Sequence, residues 1–358
     1  RFRDSRGFVS NDLPVQKETI VLGESNSDAD GELIVGGIVD VEAIHQLGGT
    51  WSYAVNASSD DFGVFPDTTA AGTIKVKTTD LNHDLKGTTS VSRATFQRID
   101  GESNDLSIEV DSNAFLGVID GIHGANTSLT TKGEVSLSGE SSYGGDTIIQ
   151  DGAILYAENN SALSEKSSVV IEKDGLLDLQ GFDNTIASLS GSGELVLNPR
   201  TSTIQNSDDE VKGANLVIKA GDFAGTIDDG SLSGLGSIAK ISDAVLTLSG
   251  FNTYSSPTFI KGGTLKVTGS LGDSTAVTVE SGATYDVDSS DTIGSLAGAG
   301  SVDLATGIML TAGGDNSSTV FLGTMSGDGG FEKAGTGTTT FGGANTYTGA
   351  TNIKGGTL

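Results

Sequence analysis

The stretch that decides the fold begins Gly250-Phe251-Asn252-Thr253-Tyr254 and continues to Ile260-Lys261-Gly262-Gly263-Thr264-Leu265. The same pattern returns at Gly343-Ala344-Asn345-Thr346-Tyr347, followed by Ile353-Lys354-Gly355-Gly356-Thr357-Leu358. A looser copy lies upstream, with the glycine at Gly139, the tyrosine at Tyr143 and the isoleucine at Ile149. Because the glycine-to-tyrosine and tyrosine-to-isoleucine spacings are the same in all three copies, the chain contains an internal repeat.

Other features repeat in step with this one. Phe115-Leu116-Gly117, Phe223-Ala224-Gly225 and Phe321-Leu322-Gly323 match, and each is followed by a lysine, at Lys132, Lys240 and Lys333. The copies are about one hundred residues apart, and apolar alternating runs return about every two dozen residues within each period. A strand–turn unit nested in a longer period is typical of stacked coils.

The alternation is that of strands, not helices. Leu246 and Leu248 alternate with Val245 and Thr247 before Ser249-Gly250 ends the run. One apolar face and one polar face describe a half-buried strand. The chain has 52 Gly but few large aromatic residues, which favours many turns around a narrow core. We therefore predict an all-β, elongated parallel β-helix (a solenoid) of roughly 15 coils.

Residues 343–358 closely resemble the passenger-associated strand repeat of bacterial autotransporters, the type V secretion proteins. The copy at residues 244–265 departs from it at Ser255-Ser256-Pro257, and the copy at residues 133–154 lacks Asn-Thr. The resemblance implies a right-handed β-helix that is exported through the periplasm and a C-terminal outer-membrane barrel, then displayed on the surface of a Gram-negative cell. We expect residues 115–358 to be repeat-bearing coils that stop in mid-repeat. Residues 1–114 are assigned by continuity as N-terminal coils and a cap, and the barrel lies outside this fragment.

Charge and cysteine content exclude several classes of function. The formal net charge of −27 repels phosphate backbones, which argues against nucleic-acid binding. The absence of Cys excludes disulfides and thiolate metal sites. We predict no cofactor and no metal. The Gly/Asp-rich turns at residues 313–316 and 327–330 lack the nine-residue register of calcium-binding repeats.

Candidate catalytic groups are few. Gly272-Asp273-Ser274 is followed by Thr275 instead of the glycine of a serine-protease loop, so a polar turn is the better interpretation. Glycoside hydrolases use paired carboxylates, and three adjacent aspartate pairs occur: Asp60-Asp61, Asp208-Asp209 and Asp228-Asp229. Neighbours on a strand point to opposite faces, so a doublet alone does not form a site. We predict no catalytic residue, and keep a β-helix polysaccharide-degrading enzyme as the alternative.

The one local basic region is the candidate ligand-binding site. Its five members are Lys75, Lys77, Lys86, Arg93 and Arg98. Lys75 and Lys77 share one face of an alternating strand, which could contact a sulfated glycan or an acidic matrix protein. A solvated strand face is the simpler interpretation, since lysines are usually exposed.

The expected function is adhesion: aggregation, biofilm formation or attachment to host cells and extracellular matrix. Outward Thr and Ser residues, such as Thr338, Thr340, Thr247 and Ser249, would form ladders that bind identical passengers on neighbouring cells through many weak hydrogen bonds. Host matrix proteins or glycans are the other expected partners. The net charge of −27 opposes self-association. A passive stalk for a functional domain outside this fragment is a further alternative.

Overall fold

The fold is described by a computed structural model that covers residues 99–102, 105–198, 213–231 and 233–358. Upstream of residue 99 it covers the strands alone. For those strands, and for residues 105–118, the description is of the backbone. The chain divides into two units, Arg1–Leu177 and Asp178–Leu358. The predicted division between residues 114 and 115 rests on sequence motifs and stays a prediction.

The first unit consists of strands of very different length. Their bounds are β1 Gly7–Phe8, β2 Ile20–Leu22, β3 Gly31–Val35, β4 Ile44–Gln46, β5 Thr50–Asn56, β6 Gly63–Phe65, β7 Thr68–Ala70, β8 Gly72–Thr79, β9 Ser92–Phe96, β10 Ile99–Asp100, β11 Asp105–Ile119, β12 Ile122–His123, β13 Asn126–Leu137, β14 Thr147–Ile149, β15 Ile154–Ala157 and β16 Ser168–Ile171. Strand β17, Leu176–Asp178, contains the division between the units.

The second unit is built in the same way. Its strands are β18 Asn184–Gly191, β19 Glu194–Val196, β20 Asn215–Phe223, β21 Thr226–Asp228, β22 Ser237–Lys240, β23 Val245–Leu248, β24 Thr258–Ile260, β25 Thr264–Val267, β26 Ala276–Val279, β27 Thr284–Val287, β28 Asp291–Ile293, β29 Ser295–Gly298, β30 Ser301–Leu304, β31 Met309–Ala312, β32 Thr319–Phe321, β33 Thr324–Gly327, β34 Gly330–Lys333, β35 Thr339–Phe341 and β36 Thr351–Ile353.

In the first unit, strands pair in parallel with the equivalent strand one turn on. One ladder runs β1, β3, β5, β8, β11, β13, β14 and β16. A second ladder runs β6, β9, β11, β13 and β15. The long strands β11 and β13 contribute to both ladders, and a third sheet contains β2, β4, β7, β10 and β12.

The second unit has the same plan. Its first ladder is β18, β20, β22, β24, β26, β29, β32 and β35. Its second ladder joins β20, β23, β25, β27, β30 and β33, and its third joins β28, β31, β34 and β36. All the strand pairs of these ladders are parallel, which is the pattern of a solenoid and not of hairpins.

The prediction of an all-β parallel solenoid is confirmed, and no helix occurs among the described residues. The number of turns differs: the structure has about 11, against the roughly 15 predicted for the whole chain. Part of the predicted count falls on residues 1–98, which lie largely outside the described residues. The right-handed coiling stays a prediction.

The core is a narrow column in which each inward side chain stacks on its equivalent in the next turn. In the second unit one such column is Leu246, Leu265, Tyr285, Val302 and Met325. The next inward column is Leu248, Val267, Val287 and Leu304. All nine side chains are at most 1% exposed. Burial of each stabilises the fold by about 1.5–3 kcal/mol.

Glycine is required where the chain turns between the first and second ladders. A Cβ added to Gly323 would lie 1.8 Å from the carbonyl oxygen of Gly300 in the preceding turn. A Cβ on Gly343 would lie 1.7 Å from the carbonyl oxygen of Gly323. Successive backbones approach closely at this corner, and no side chain fits between them. The repeated glycine of the sequence pattern is therefore a steric requirement of stacking.

We predict that Gly323→Ala lowers the free energy of unfolding by about 3 kcal/mol or more, because the added methyl group overpacks the corner. The matched control is Gly314→Ala. A Cβ at that position would meet no atom within 4 Å, and the change should be neutral or stabilising by about 0.4–1 kcal/mol. Urea unfolding monitored by circular dichroism measures both. Equal free energies for the two variants would contradict the steric account.

Candidate functional site

Three of the five predicted basic residues lie on described strands, two of them on the same strand. Lys75 and Lys77 lie two positions apart on β8, which belongs to the first ladder of its unit. Arg93 lies on β9, in the second ladder. Lys86 and Arg98 lie outside the described residues.

The backbone register also brings an acidic residue to this region. Lys75 on β8 is aligned with Glu109 on β11 in the next turn. On its other side it is aligned with Ser52 on β5. An acidic residue therefore occupies the register position next to Lys75, and the ligand-binding patch stays a prediction.

The tyrosine of the repeat makes the same hydrogen bond in all three copies. Tyr143 and Tyr254 are fully buried, and each hydroxyl bonds the hydroxyl of the threonine four residues on. The oxygen–oxygen distances are 2.6 Å to Thr147 and 2.9 Å to Thr258. The third copy forms the same bond, between the hydroxyls of Tyr347 and Thr351, at 2.6 Å. The threonine satisfies the polar group of an otherwise apolar core residue.

The residue two before each tyrosine connects adjacent turns. Asn252 Oδ1 accepts a hydrogen bond from the backbone N–H of Ile227 at 2.9 Å. In the third copy, Asn345 Oδ1 accepts from the backbone N–H of Met325 at 2.8 Å. In the looser copy, which has serine at this position, Ser141 Oγ accepts from the backbone N–H of Ile122 at 3.1 Å.

The repeat is therefore used inside the solenoid. Its glycine, asparagine or serine, tyrosine and threonine all bond or pack within a turn or against the preceding one. The repeat could be predicted from the sequence, but the separate roles of its residues could not. The sequence signal that could have indicated these roles is the fixed spacing. The position held by Asn252 and Asn345 is held in the looser copy by Ser141, which is also a hydrogen-bond acceptor.

The repeated lysine is also internal in two of its copies. Lys240 and Lys333 are at most 1% exposed, whereas Lys132 is exposed. The Lys240 ammonium donates to the carbonyl oxygen of Gly262 at 3.0 Å and to that of Ser242. Burial lowers the pKa of Lys240, and Asp243 partly opposes this effect. The side chain closes a corner of the solenoid.

Of the three aspartate pairs, Asp228-Asp229 is the one within the described residues. Asp228 accepts from the backbone N–H of Gly230 and from the hydroxyl of Thr253, both at 2.6 Å. Asp229 is 4% exposed and accepts from the backbone N–H of Ser255 at 2.6 Å and from the Ser256 hydroxyl at 2.7 Å. Both carboxylates are engaged in holding a corner between turns.

The Gly/Asp-rich turns are likewise engaged in local bonds. Asp315 Oδ1 accepts from the backbone N–H of Ser317 at 2.9 Å. The two carboxylate oxygens of Asp328 accept from the hydroxyls of Thr306 and Thr348 in adjacent turns. Within the described part of the chain, no three His, Cys, Asp or Glu side chains converge on a position for a metal ion.

The residues that alternate with the inward ones form two different surfaces on the second unit, and most of them are at least partly exposed, although Ala239 and Ser295 are buried. The first, here called the low-charge face, follows β20, β22, β24, β26, β29, β32 and β35. It has a central column set by the strand register and two flanking columns, which continue that register two residues to either side and partly lie beyond the strand ends. The central column is Val217, Ala239, Phe259, Thr278, Ala297, Val320 and Thr340. One flanking column is Asn215, Ser237, Pro257, Ala276, Ser295, Ser318 and Thr338. The other is Lys219, Ile241, Lys261, Glu280, Ala299, Leu322 and Gly342.

The second surface, here called the acidic face, lies on the second ladder. Its first column is Val245, Thr264, Thr284, Ser301 and Thr324, and its second is Asp222, Thr247, Lys266, Asp286, Asp303 and Ser326. The Lys266 ammonium lies 2.5 Å from Asp288 and 2.9 Å from Asp286. These hydrogen bonds raise the pKa of Lys266. A column of mostly hydroxyl side chains therefore lies beside a column with an excess of carboxylates. Of the residues named for the expected ladder, Thr247 lies in the column with the carboxylates, and the binding role of such ladders stays a prediction.

The second unit also contains a buried carboxylate, on β28 of its third ladder. Asp291 is 5% exposed and accepts from the backbone N–H of Leu271 at 3.1 Å and from the Tyr285 hydroxyl at 3.2 Å. Burial raises its pKa to about 6, although its hydrogen bonds partly oppose the rise. Tyr285 is fully buried, and its pKa is also raised by burial and by Asp291.

Comparison with known proteins agrees with the repeat analysis. Residues 132–155, 239–267 and 331–358 match the family described as passenger-associated-transport-repeat. The chain is 27% identical over 248 residues to "Adhesin BmaC autotransporter" of Brucella suis, and 27% identical over 175 residues to "Probable autotransporter YfaL" of Escherichia coli. The resemblance to an autotransporter passenger domain is confirmed.

The match is to a part of each relative. It covers 68% of this chain but 6% of the Brucella protein, and 47% of this chain but 13% of the Escherichia coli protein. No solved structure matches the chain significantly. Among the described residues, no helix has the length and apolar character needed to cross a membrane.

We predict that Asn252→Ala lowers the free energy of unfolding by about 1–3 kcal/mol, because it leaves the buried N–H of Ile227 without its acceptor. The control is Asn352→Ala at an exposed strand position, which should change stability by less than about 0.5 kcal/mol. Urea unfolding of the two variants makes the comparison. A loss at Asn352 equal to that at Asn252 would contradict the assigned role.

We predict that Asp291 makes stability depend on pH. Between about pH 4 and about pH 6 the folded protein holds a proton on Asp291 that the unfolded chain has released. The free energy of unfolding therefore falls as pH rises through this range. Relative to Asp291→Asn, the wild type should lose about 3 kcal/mol between about pH 4 and about pH 7. Urea unfolding across this range measures the difference, and parallel profiles would contradict it.

Proposed function

We propose that this chain is part of a cell-surface adhesin of a Gram-negative bacterium, exported through the periplasm and outer membrane. Three repeat segments match the passenger-associated-transport-repeat family, and one relative is named an adhesin. Both relatives are named autotransporters. Adhesion, and not catalysis, is the activity that these names favour.

The observation that carries the proposal is the division between inward and outward positions. The repeat residues are bonded inside the solenoid, whereas the outward positions form aligned columns over successive turns. A surface built of short columns repeats the same contact many times. Because each net hydrogen bond is worth only about 0.5–1.5 kcal/mol, many such contacts are needed for reversible attachment.

The proposed partners are identical passengers on neighbouring cells, which would produce autoaggregation and biofilm, and host matrix proteins or glycans. The basic residues Lys75 and Lys77 are the candidates for a sulfated glycan. Long-range repulsion between copies of charge −27 opposes self-association. Ionic screening weakens this repulsion and therefore favours self-association.

A passive stalk is the second candidate. It is favoured by the same internal use of the repeat, since a structure that only stacks its turns needs no binding surface. A polysaccharide-degrading enzyme is less well supported, because Asp228 and Asp229 are engaged in corner hydrogen bonds.

Display of residues 1–358 on non-aggregating cells through a heterologous export domain tests the proposal. We expect the cells to settle faster than cells carrying the export domain alone, or to bind immobilised matrix proteins. If the cells show no faster settling and no matrix binding, adhesion is overturned and the passive stalk remains. In a parallel arm, Lys75→Glu with Lys77→Glu should reduce heparin binding, and unchanged binding would contradict the basic site.

A further inference from the structure

We propose that the low-charge face of the second unit is a docking surface for a second copy of this chain. The inference rests on the proposed adhesive function and identifies which surface makes the contact. It differs from the expectation that the hydroxyl ladders alone mediate self-association, because it assigns the contact to a face defined by its few charged side chains, of which one is acidic.

The charge distribution selects this face. The second unit contains 19 acidic and 8 basic residues, yet the three columns of the low-charge face contain only Lys219, Lys261 and Glu280 as charged residues. All three lie in one flanking column. Two copies that meet through this face bring no excess of negative charge together, and like charges placed in contact weaken an interface strongly.

The acidic face is a poor alternative for the same contact. Asp222, Asp286 and Asp303 share one column with a single lysine, Lys266. That lysine is already paired with Asp286 and Asp288 of its own chain. Two acidic faces brought together would place unpaired carboxylates opposite one another.

The low-charge face also has side chains suited to burial. Val320 is 51% exposed and Leu322 is 62% exposed, and Ile241 is 41% exposed at the same edge as Leu322. Phe259 lies in the central column between Ala239 and Thr278. An apolar centre with few charges is the composition of interface cores, in which charged residues are depleted.

The size of the face predicts a weak contact. Seven strands about 4.8 Å apart and about five residues wide give a surface of about 29 by 17 Å. Two copies would bury about 1,000 Å² in total, which is near the lower limit for a specific interface. Association of single molecules should be weak and reversible, and many copies on facing cells would strengthen it through avidity.

The contact should tighten as salt increases. The remaining surfaces give each copy its net charge of −27, and their mutual repulsion acts over about 10 Å at 0.1 M ionic strength but over about 3 Å at 1 M. The face itself has little charge for salt to screen. Association driven by oppositely charged side chains would weaken under the same change.

Sedimentation equilibrium of the 358-residue chain, at several concentrations and salt levels, tests the inference. The face variant is Thr278→Glu with Thr340→Glu. The control variant is Thr284→Glu with Thr324→Glu on the acidic face, which introduces the same charge. In each pair one threonine is half-buried and one is exposed, and all four occupy outward strand positions. Circular dichroism checks that both variants fold.

We expect a reversible dimer that tightens with salt, at least tenfold weaker association in the face variant, and little change in the control. A wild type that stays monomeric throughout, or equal weakening in both variants, would overturn the inference. Matrix binding that is lost in the face variant while the wild type is monomeric would overturn it too, in favour of another occupant.

The display experiment separates this inference from the proposed function. If the chain is monomeric but still binds matrix proteins, the docking surface is contradicted and the adhesive function is supported. If the chain dimerises through the low-charge face but causes neither settling nor matrix binding, the docking surface is supported and the adhesive function is contradicted.

Discussion

The structure depends on the stacking of each turn on the preceding one in parallel register. Stacked strands lie about 4.8 Å apart, and the corners must allow backbones to approach at least as closely. At Gly300, Gly323 and Gly343 this leaves no room for a Cβ. Amides of the preceding turn must also find acceptors in the next turn, and the side chains of Asn252 and Ser141 supply them for Ile227 and Ile122. The repeat therefore encodes the conditions for stacking.

This constraint separates stability from binding. Inward positions are determined by the core column and by the buried hydrogen bonds of Tyr143 and Tyr254. Outward positions are free of these demands and can differ in composition from face to face. The second unit shows the result, since its first and second ladders have outer surfaces of very different charge. An acidic protein can in this way carry repelling charge over most of its surface and keep one face suited to contact with another protein.

Much of the architecture could be predicted from the spacing of a few residues. The four- and six-residue intervals around Tyr254 and Tyr347 predicted stacked coils, and the period-two pattern at Val245–Leu248 predicted strands. The low-charge face could not be predicted, because it depends on which residues of distant strands share a column. Val217 and Val320 are far apart in sequence, and only the register aligns them. The role of Ser141 could not be predicted, because the spacing does not show that its hydroxyl meets the backbone N–H of Ile122 in the preceding turn.

The most direct test of the account is native-state hydrogen exchange at the backbone amides of Ile122 and Ile227. The cross-turn hydrogen bonds to Ser141 and Asn252 should make these amides exchange as slowly as the central strand amides of their units, and only through opening of the stacked turns. Exchange at the rate of the exposed turn residues would contradict the claim that these repeat positions hold the turns together.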